Sequence, residues 1–204
     1  MILTVHTKNP EPRAIRKAAE ILTAGGIVVY PTDTVYGLGC SVLDKSAIER
    51  IYLIKKQRTD RPFSFVCSDL THISEYAAVD NAAFKIMKHL IPGPYTFILP
   101  AARMKNLPKL LLSKRKTVGI RVPDSPTTLG IVRELGHPIL STSATGDGGT
   151  VLRDSAELIA TYRNSVELIL DAGPLVAEQS TVLDLTGDEP VIIRQGSGDT
   201  SFLQ

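Results

Sequence analysis

The chain has 204 residues, 43% of them hydrophobic, and a formal net charge of only +2 at pH 7. This length suits one large domain or two small ones, and the hydrophobic content is enough for a sizeable core, which argues against disorder. Two cysteines, Cys40 and Cys67, are too few for a disulfide framework or a zinc site and indicate reduced, buried thiols. Without a secretory signal pattern or an apolar run of about 20 residues, we expect a soluble cytoplasmic protein with no membrane span.

Strand and helix signals alternate along the first half of the chain. Apolar residues at helical spacing mark the first helix, and Gly25 and Gly26 end it. Pro31 ends the strand before it, because proline has no amide donor for a sheet. Ser46 and Glu49 form the pattern of a capping box at the start of the second helix. In chain order, we predict strands at 2–6, 27–30, 63–67 and 95–99 and helices at 10–24, 44–56 and 81–90.

The same alternation continues in the second half. We predict strands at 117–122, 138–142, 166–170, 180–185 and 190–195 and helices at 127–135 and 154–162. The strands are many and short, and both helices and turns connect them. This favours an α/β fold of the α+β type, a mixed β-sheet with flanking helices, over a purely parallel doubly wound sheet. No change of composition marks a linker, so we expect a single domain over residues 1–204.

Hydroxyls and glycines follow the strand 27–30, in the segment Tyr30-Pro-Thr-Asp-Thr-Val-Tyr-Gly-Leu-Gly39. Thr32 and Thr34 offer hydroxyl groups, and Gly37 and Gly39 would let a ligand approach the backbone. A strand–turn–strand without a ligand is an equally good interpretation, because the segment matches neither a P-loop nor a dinucleotide fingerprint.

A cluster of cations follows at the end of the next helix. It contains Arg50, Lys55, Lys56, Arg58 and Arg61. Cations at a helix C-terminus complement the helix macrodipole, which is the simplest interpretation. Five cations exceed what one helix end needs, and they suit a polyphosphate, which arginine binds through two hydrogen bonds and lysine as a point charge.

Two later segments also carry polar chemistry. Strand alternation places Thr117, Gly119 and Arg121 on one face, so Arg121 is either a clamp for a carboxylate or a partly buried arginine paired with an acidic side chain. The segment 141–149 is rich in hydroxyls and glycine, which suits polar contacts with a ligand as well as a surface turn. No histidine or aspartate has a spacing that would mark an activated serine, so we assign no catalytic nucleophile.

The segment 103–121 carries seven cations and no acidic residue. A solvated loop explains such a run. Alternatively, Lys114, Arg115 and Lys116 bind RNA phosphates. Because aromatic residues make up only 5% of the chain, duplex RNA is a better candidate than stacked single strands.

Seven motifs, taken together, resemble one family, the YrdC-like threonylcarbamoyl-adenylate synthases, over residues 9–196. They occur in the family's order and are Tyr30 to Gly39, Lys56-Gln-Arg58, Pro92-Gly-Pro-Tyr-Thr96, Thr117-Val-Gly-Ile-Arg-Val-Pro123, Ser141-Thr-Ser-Ala144, Ser180-Thr-Val-Leu-Asp184 and Ile193-Arg-Gln-Gly196. Any one of these motifs is weak evidence, whereas seven in order are specific.

The resemblance implies a twisted mixed sheet around a basic concave cavity. It also implies a reaction that joins threonine, bicarbonate and ATP, with Mg²⁺ bound to ATP, into threonylcarbamoyl-adenylate and pyrophosphate for the modification of tRNA. No metal held tightly by protein ligands is expected. The implied nucleotide-binding residues are Lys56, Arg58, Arg61, Thr117, Ser143, Thr145 and Arg194. The implied amino-acid-binding residues are Thr34, Arg121, Ser141 and Ser180.

Three departures from the synthase pattern resemble the YciO branch of the family. The Ser-x-Asn motif reads Ser143-Ala144-Thr145, the loop after Arg58 reads Asp60-Arg-Pro-Phe63, and Val66 or Cys67 stands where synthases have a histidine near threonine. We therefore expect a synthase or a weakened paralogue of one. The alternatives are a protein that binds double-stranded RNA or tRNA without useful catalysis, and another phosphate enzyme on a similar scaffold.

Overall fold

The structure is a computed structural model that describes residues 1–57, 63–102, 107–108, 111, 116–152, 154–175 and 178–203. These residues form ten strands and six α-helices. The strands are β1 (Ile2–Thr4), β2 (Val28–Tyr30), β3 (Gly37–Ser41), β4 (Ser64–Val66), β5 (Tyr95–Pro100), β6 (Thr117–Arg121), β7 (Ile139–Ser143), β8 (Leu168–Asp171), β9 (Thr181–Asp184) and β10 (Val191–Arg194). The helices are α1 (Pro12–Thr23), α2 (Lys45–Ile54), α3 (Leu70–Ser74), α4 (Asn81–Leu90), α5 (Pro126–Leu135) and α6 (Ser155–Tyr162).

One mixed sheet joins all ten strands in the order β1-β8-β2-β3-β7-β4-β6-β5-β9-β10. The pairs β1–β8, β8–β2, β4–β6 and β5–β9 are parallel, and the other neighbours are antiparallel. The predicted mixed sheet with flanking helices is therefore confirmed. The prediction omits α3, which has only five residues and is too short to show helical periodicity. The predicted strands also omit β3. This strand belongs, however, to the alternative interpretation of the segment 30–39 as a strand, a turn and a second strand.

Acidic side chains begin most of the helices. The N-cap of α2 is Asp44, whose Oδ1 accepts hydrogen bonds from the Ala47 amide at 2.9 Å and from the Ser46 hydroxyl at 3.0 Å. The predicted capping box of Ser46 and Glu49 is therefore wrong, because the helix begins one residue before Ser46. Asp69, Asp80 and Asp154 cap α3, α4 and α6 in the same way.

The two faces of the sheet are covered to different extents. On one face, α2, α3, α4 and α6 cover the larger core, which contains the buried free thiols of Cys40 and Cys67. On the other face, α1 and α5 pack over a smaller core around Tyr30, Val66 and Ile139. Helix α1 lies against β8, β2 and β3, and α5 packs against α1. The polar residues of β4, β6, β5 and β9 on this second face therefore line an open cleft.

The described part of the chain contains no helix with the length and apolar character needed to cross a membrane.

Candidate functional site

Two adjoining cavities form the cleft, one over the open part of the sheet face and one beside it at the C-terminal end of α2. The smaller one, about 310 Å³, lies over β4, β6, β5 and β9 and the end of β7. The larger one, about 980 Å³, lies between the C-terminal end of α2, the turn after β7, and α6. The two cavities share Gln57, Thr142, Ser143 and Arg194 in their walls. A ligand that fills both cavities would therefore pass Ser143 and Arg194.

Arg121 is the most buried cation of the smaller cavity. Its Nη2 donates to Asp33 Oδ1 at 2.6 Å and to Thr34 Oγ1 at 2.8 Å, and the side chains of Arg121 and Asp33 are only 12% and 11% exposed. The structure is therefore compatible with both interpretations of Arg121, a partner of an acidic side chain and a clamp for a ligand carboxylate, because Asp33 occupies only part of the guanidinium. The Nε of Arg121 is buried and has no hydrogen-bond acceptor among the described residues. Arg121 also lines the smaller cavity, so other parts of its guanidinium can face a ligand carboxylate.

The other predicted amino-acid-binding residues differ in whether they line the smaller cavity. Thr34 is fully buried behind Arg121 and is not part of either cavity wall as described. Ser141 lines the smaller cavity and accepts a hydrogen bond from the Tyr30 hydroxyl at 2.6 Å. Burial raises the pKa of Tyr30, so this phenol stays a neutral donor. The Ser180 hydroxyl lines the same cavity and lies 3.0 Å from the Thr96 hydroxyl.

The glycines of β3 serve packing rather than ligand access, which corrects the expectation from the sequence. A Cβ on Gly37 would lie 2.7 Å from the Tyr30 ring, and a Cβ on Gly39 would lie 2.5 Å from Ile139 Cγ2. Glycine at both positions lets the Tyr30 ring lie across β3, where its hydroxyl reaches Ser141. The predicted hydroxyl of Thr32 also has a structural partner, since it donates to the Val35 carbonyl at 2.6 Å.

Arg194 lies where the two cavities meet. Its Nε and Nη2 donate to the Ser180 carbonyl at 3.0 and 2.8 Å, and its Nη1 donates to Gln179 Oε1 at 2.6 Å. Burial, and then the nearby charge of Arg121, lower the pKa of Arg194. Two cations that repel each other across a shared cavity are stabilised by an anion between them.

The end of α2 forms the cationic wall of the larger cavity. Lys55 and Lys56 line this cavity together with Thr145. Lys56 has a left-handed backbone conformation, φ 48°, at a helix terminus where glycine is favoured. Gln57 then donates its amide hydrogen to the Tyr52 carbonyl at 3.0 Å and closes the turn. Arg58 and Arg61, both predicted nucleotide ligands, lie outside the described residues.

The predicted nucleotide-binding and amino-acid-binding residues do not divide cleanly between the larger and the smaller cavity. Thr117, predicted for the nucleotide, lines only the smaller cavity, whereas Ser143 lines both. Val66 also lines the smaller cavity, on the opposite sheet face from Cys67. Of the predicted RNA-binding residues, Lys114 and Arg115 lie outside the described residues, and Lys116 is exposed with a left-handed φ of 55°.

The sequence places Lys55 in the cation cluster that suits a polyphosphate, but not among the implied nucleotide-binding residues. The Nζ of Lys55 donates to the Ser143 carbonyl at 3.1 Å and to Thr145 Oγ1 at 2.5 Å. The cation cluster at 50–61 was the available signal, but it could not show which of the neighbouring lysines faces β7.

The fold and the site define an α/β protein with an anion-compatible cleft on one face of a mixed sheet. The chain belongs to the Sua5, YciO and YrdC family, whose sequence model, described as "Telomere recombination", matches residues 20–196. This confirms the family expected from the sequence motifs.

The relatives fall into two groups. An uncharacterized protein of Haemophilus influenzae is 46% identical over 200 residues, which cover 97% of this chain and 96% of the relative. The uncharacterized protein YciO of Escherichia coli is 44% identical over 197 residues, which cover 96% and 95%. A threonylcarbamoyl-AMP synthase of Bacillus subtilis is 32% identical over 192 residues, which cover 93% of this chain and 54% of the synthase. The chain is therefore more similar to YciO than to this synthase.

Solved structures give the same ranking. The crystal structure of Escherichia coli YciO has a TM-score of 0.93 at 40% identity and covers 100% of this chain and 99% of its own. Pyrococcus abyssi Sua5, crystallised in complex with L-threonine, has a TM-score of 0.88 at 30% identity and covers 96% of this chain and 57% of its own.

Proposed function

We propose that this protein forms threonylcarbamoyl-adenylate from threonine, bicarbonate and ATP for tRNA modification, or retains a weakened form of this activity. The observation that carries the proposal is the pair of adjoining cavities with shared walls at Ser143 and Arg194. A reaction that joins an amino acid to a nucleotide needs two sites that meet at the reacting atoms. The name of the Bacillus subtilis relative and the threonine complex of Pyrococcus abyssi Sua5 support this choice of substrates.

The smaller cavity suits the amino acid. The Arg121 guanidinium lines this cavity and supplies a positive charge for a carboxylate. Val66 and Val182 supply apolar contacts for a methyl group, and Ser180 supplies a hydroxyl. An amino acid with a short side chain therefore fits the chemistry of these walls.

The larger cavity suits the nucleotide. Lys55 and Lys56 lie on one wall, and Arg194 lies at the junction with the smaller cavity. Phosphates placed along this line would face Lys56 and Arg194 before any contribution from Arg58 or Arg61. Gly146, Gly148 and Gly149 line the opposite side, where there is no side chain to exclude a ligand.

The proposed chemistry needs no protein nucleophile. The amino nitrogen of threonine and bicarbonate form a carbamate, with loss of water. A carbamate oxygen then forms a bond to the α-phosphorus of ATP, while the bond from that phosphorus to pyrophosphate breaks. Arg121 and Arg194 would orient the two substrates, and the cations would stabilise the charge that develops on the phosphates.

Magnesium enters this proposal with ATP. Within the described ranges, no group of three or more His, Cys, Asp or Glu residues could hold a metal ion. The hydroxyls and cations of the larger cavity fit an ion carried by the phosphate oxygens better than an ion held in a protein cage. When bound, Mg²⁺ neutralises phosphate charge.

Two substitutions support a weakened form of the activity. Thr145 stands where synthases have asparagine, and its hydroxyl is engaged by Lys55. Val66 lines the smaller cavity where synthases have a histidine nearby, and it offers no hydrogen bond. We expect slower or less selective use of threonine, and we expect the Thr145→Asn and Val66→His substitutions together to raise pyrophosphate release.

The test is pyrophosphate release by the purified protein with ATP, bicarbonate and Mg²⁺, and with each amino acid in turn. The proposal predicts release with threonine that requires bicarbonate. Omission of bicarbonate is the control, because simple ATP hydrolysis would not depend on it. Release that is independent of the amino acid, or no release at any protein concentration, would contradict the proposed function. Strong native preference for threonine, with no gain on reversion, would contradict the weakened form.

RNA is a second proposed partner, and its support is the cation run at 103–121 in the sequence. tRNA or double-stranded RNA phosphates would contact Lys114, Arg115 and Lys116. This partner is compatible with the synthase activity, since the nucleotide cations lie elsewhere in the chain.

A further inference from the structure

Lys55 connects the end of α2 to the end of β7 across the larger cavity. It is the C-terminal cap of α2, and its Nζ donates to the Ser143 carbonyl and to the Thr145 hydroxyl. The side chain is partly buried, and burial lowers the pKa of Lys55. An ammonium group taken partly out of water needs acceptors, and these two oxygens supply them.

These hydrogen bonds change what the end of β7 can offer to a ligand. A threonine hydroxyl has one proton to donate and two lone pairs to accept with, whereas an ammonium group can only donate. Because Lys55 occupies a lone pair of Thr145 Oγ1, the hydroxyl proton of Thr145 is directed away from Lys55. The Ser143 carbonyl, which would repel an anion, is covered by the same ammonium group.

Thr145 is also held in place by its backbone. The Tyr162 hydroxyl donates to the Thr145 carbonyl at 2.6 Å, and Thr145 pairs with Val151 in an isolated β-bridge. Only 8% of Thr145 is exposed, yet the residue lines the larger cavity. Its hydroxyl therefore has a fixed position and, with Lys55 bound, a restricted direction.

We propose that Lys55 is a positioning residue that makes the end of β7 a hydrogen-bond donor surface for a phosphate oxygen in the larger cavity. The contact itself is made by the Thr145 hydroxyl, and Lys55 acts through it. This inference rests on the proposed function, because it assigns the phosphates of the nucleotide to this wall.

The test is a double-mutant cycle of binding, measured by calorimetry with ATP and separately with inorganic pyrophosphate. We expect Thr145→Val and Lys55→Met each to weaken binding by about 10-fold, the scale of one lost hydrogen bond to a charged ligand. The double variant should bind no more than about twofold more weakly than the weaker single variant, because both changes remove the same contact. Thr145→Ser, which keeps the hydroxyl, should bind as the native protein does.

Lys45→Met is the matched control, because Lys45 is an exposed lysine at the other end of α2. Unchanged binding by Thr145→Val would overturn the inference, as would losses that multiply to about 100-fold in the double variant. Binding of added pyrophosphate can be measured without catalysis. The double-mutant cycle can therefore support this inference even if the native protein releases no pyrophosphate from ATP and the proposed function is wrong. A native protein that binds neither ATP nor pyrophosphate would overturn the inference.

Discussion

The buried ion pair of Arg121 and Asp33 is the residue-scale feature with the largest energetic consequence. The two side chains are nearly buried and 2.6 Å apart, and one oxygen of Asp33 has no partner among the described residues. A buried pair of this kind contributes little net stability, but removing one member leaves an uncompensated charge. Arg121 can therefore face a ligand only while Asp33 holds it.

We predict that Arg121→Met lowers the free energy of unfolding by about 3 kcal/mol, because the Asp33 carboxylate loses its partner. Urea unfolding at neutral pH measures this loss. The double variant with Asp33→Asn should recover part of the stability, since no buried charge is left unpaired. Lys17→Met, which breaks an exposed pair with Glu20, is the control and should change stability by less than about 1 kcal/mol. Equal stability of Arg121→Met and the native protein would contradict the prediction.

Lys56 gives a second residue-scale prediction. A left-handed conformation costs a non-glycine residue about 1 kcal/mol. We expect Lys56→Gly to relieve this cost, so that its free energy of unfolding exceeds that of Lys56→Ala, while both variants bind ATP more weakly than the native protein. Urea unfolding and calorimetry measure the two effects. If Lys56→Gly is no more stable than Lys56→Ala, backbone strain does not explain this position.

At the scale of elements, the two ends of helix α2 have different roles. Its N-terminus is a structural cap, because Asp44 satisfies the Ala47 amide. Its C-terminus presents Lys55 and Lys56 to the larger cavity. The helix therefore holds one wall of the candidate site at a fixed distance from β7.

The Asp44 cap predicts a pH dependence. The hydrogen bond from the Ala47 amide holds the pKa of Asp44 below its ordinary value. Because the pKa of Asp44 is lower in the folded than in the unfolded state, its charge adds to the free energy of unfolding. This contribution is fully present above the unfolded-state pKa of about 3.9, and it is lost as the pH falls through the folded-state pKa. We expect Asp44→Ala to cost about 1 kcal/mol at pH 7, and this difference should shrink in acid.

Thermal unfolding of the native protein and Asp44→Ala between neutral and acid pH measures this change. Asp44→Asn is the control, because asparagine caps a helix without titrating. A difference between native protein and Asp44→Ala that stays constant through the acid range would contradict the role of the Asp44 charge.

At the scale of the whole molecule, the uneven coverage of one sheet face creates the site. Helix α1 covers β8, β2 and β3, with α5 packed against it, and the cleft opens over β4, β6, β5 and β9. The basic run at 103–121 ends in β6, whose Thr117 and Arg121 line the smaller cavity.

We predict that this run gives salt-dependent binding of duplex RNA. Log affinity should fall with log salt by about 0.9 per neutralised phosphate on a B-form duplex, and we take RNA as comparable. Neutralising Lys114, Arg115 and Lys116 together should lower this slope by about two to three units and weaken binding to all sequences alike. A salt titration with tRNA measures the slopes, and ATP binding is the control that should not change. Identical slopes would leave the run as a solvated surface.

Features that depend on local periodicity can be predicted from the amino-acid sequence alone. Apolar spacing predicted five of the six helices and nine of the ten strands, with ends displaced by a few residues. Strand alternation placed Thr117, Gly119 and Arg121 on one face, and all three line the smaller cavity. These predictions succeed because the pleat of a strand and the turn of a helix fix side-chain direction without knowledge of the neighbours.

Contacts between distant segments of the chain could not be predicted in this way and follow from the three-dimensional fold. Lys55 and Ser143 are 88 residues apart, and nothing in the local sequence indicates that Lys55 rather than Lys56 reaches β7. Gly37 and Gly39 accommodate the Tyr30 ring instead of a ligand, which follows from the pairing of β2 with β3. Asp33 becomes the partner of Arg121 because the turn after β2 reaches across the sheet to the end of β6, although β3, β7 and β4 lie between these two strands. Local patterns specify which residue types are available, but the hydrogen-bond partners of buried polar groups depend on how the sheet is ordered.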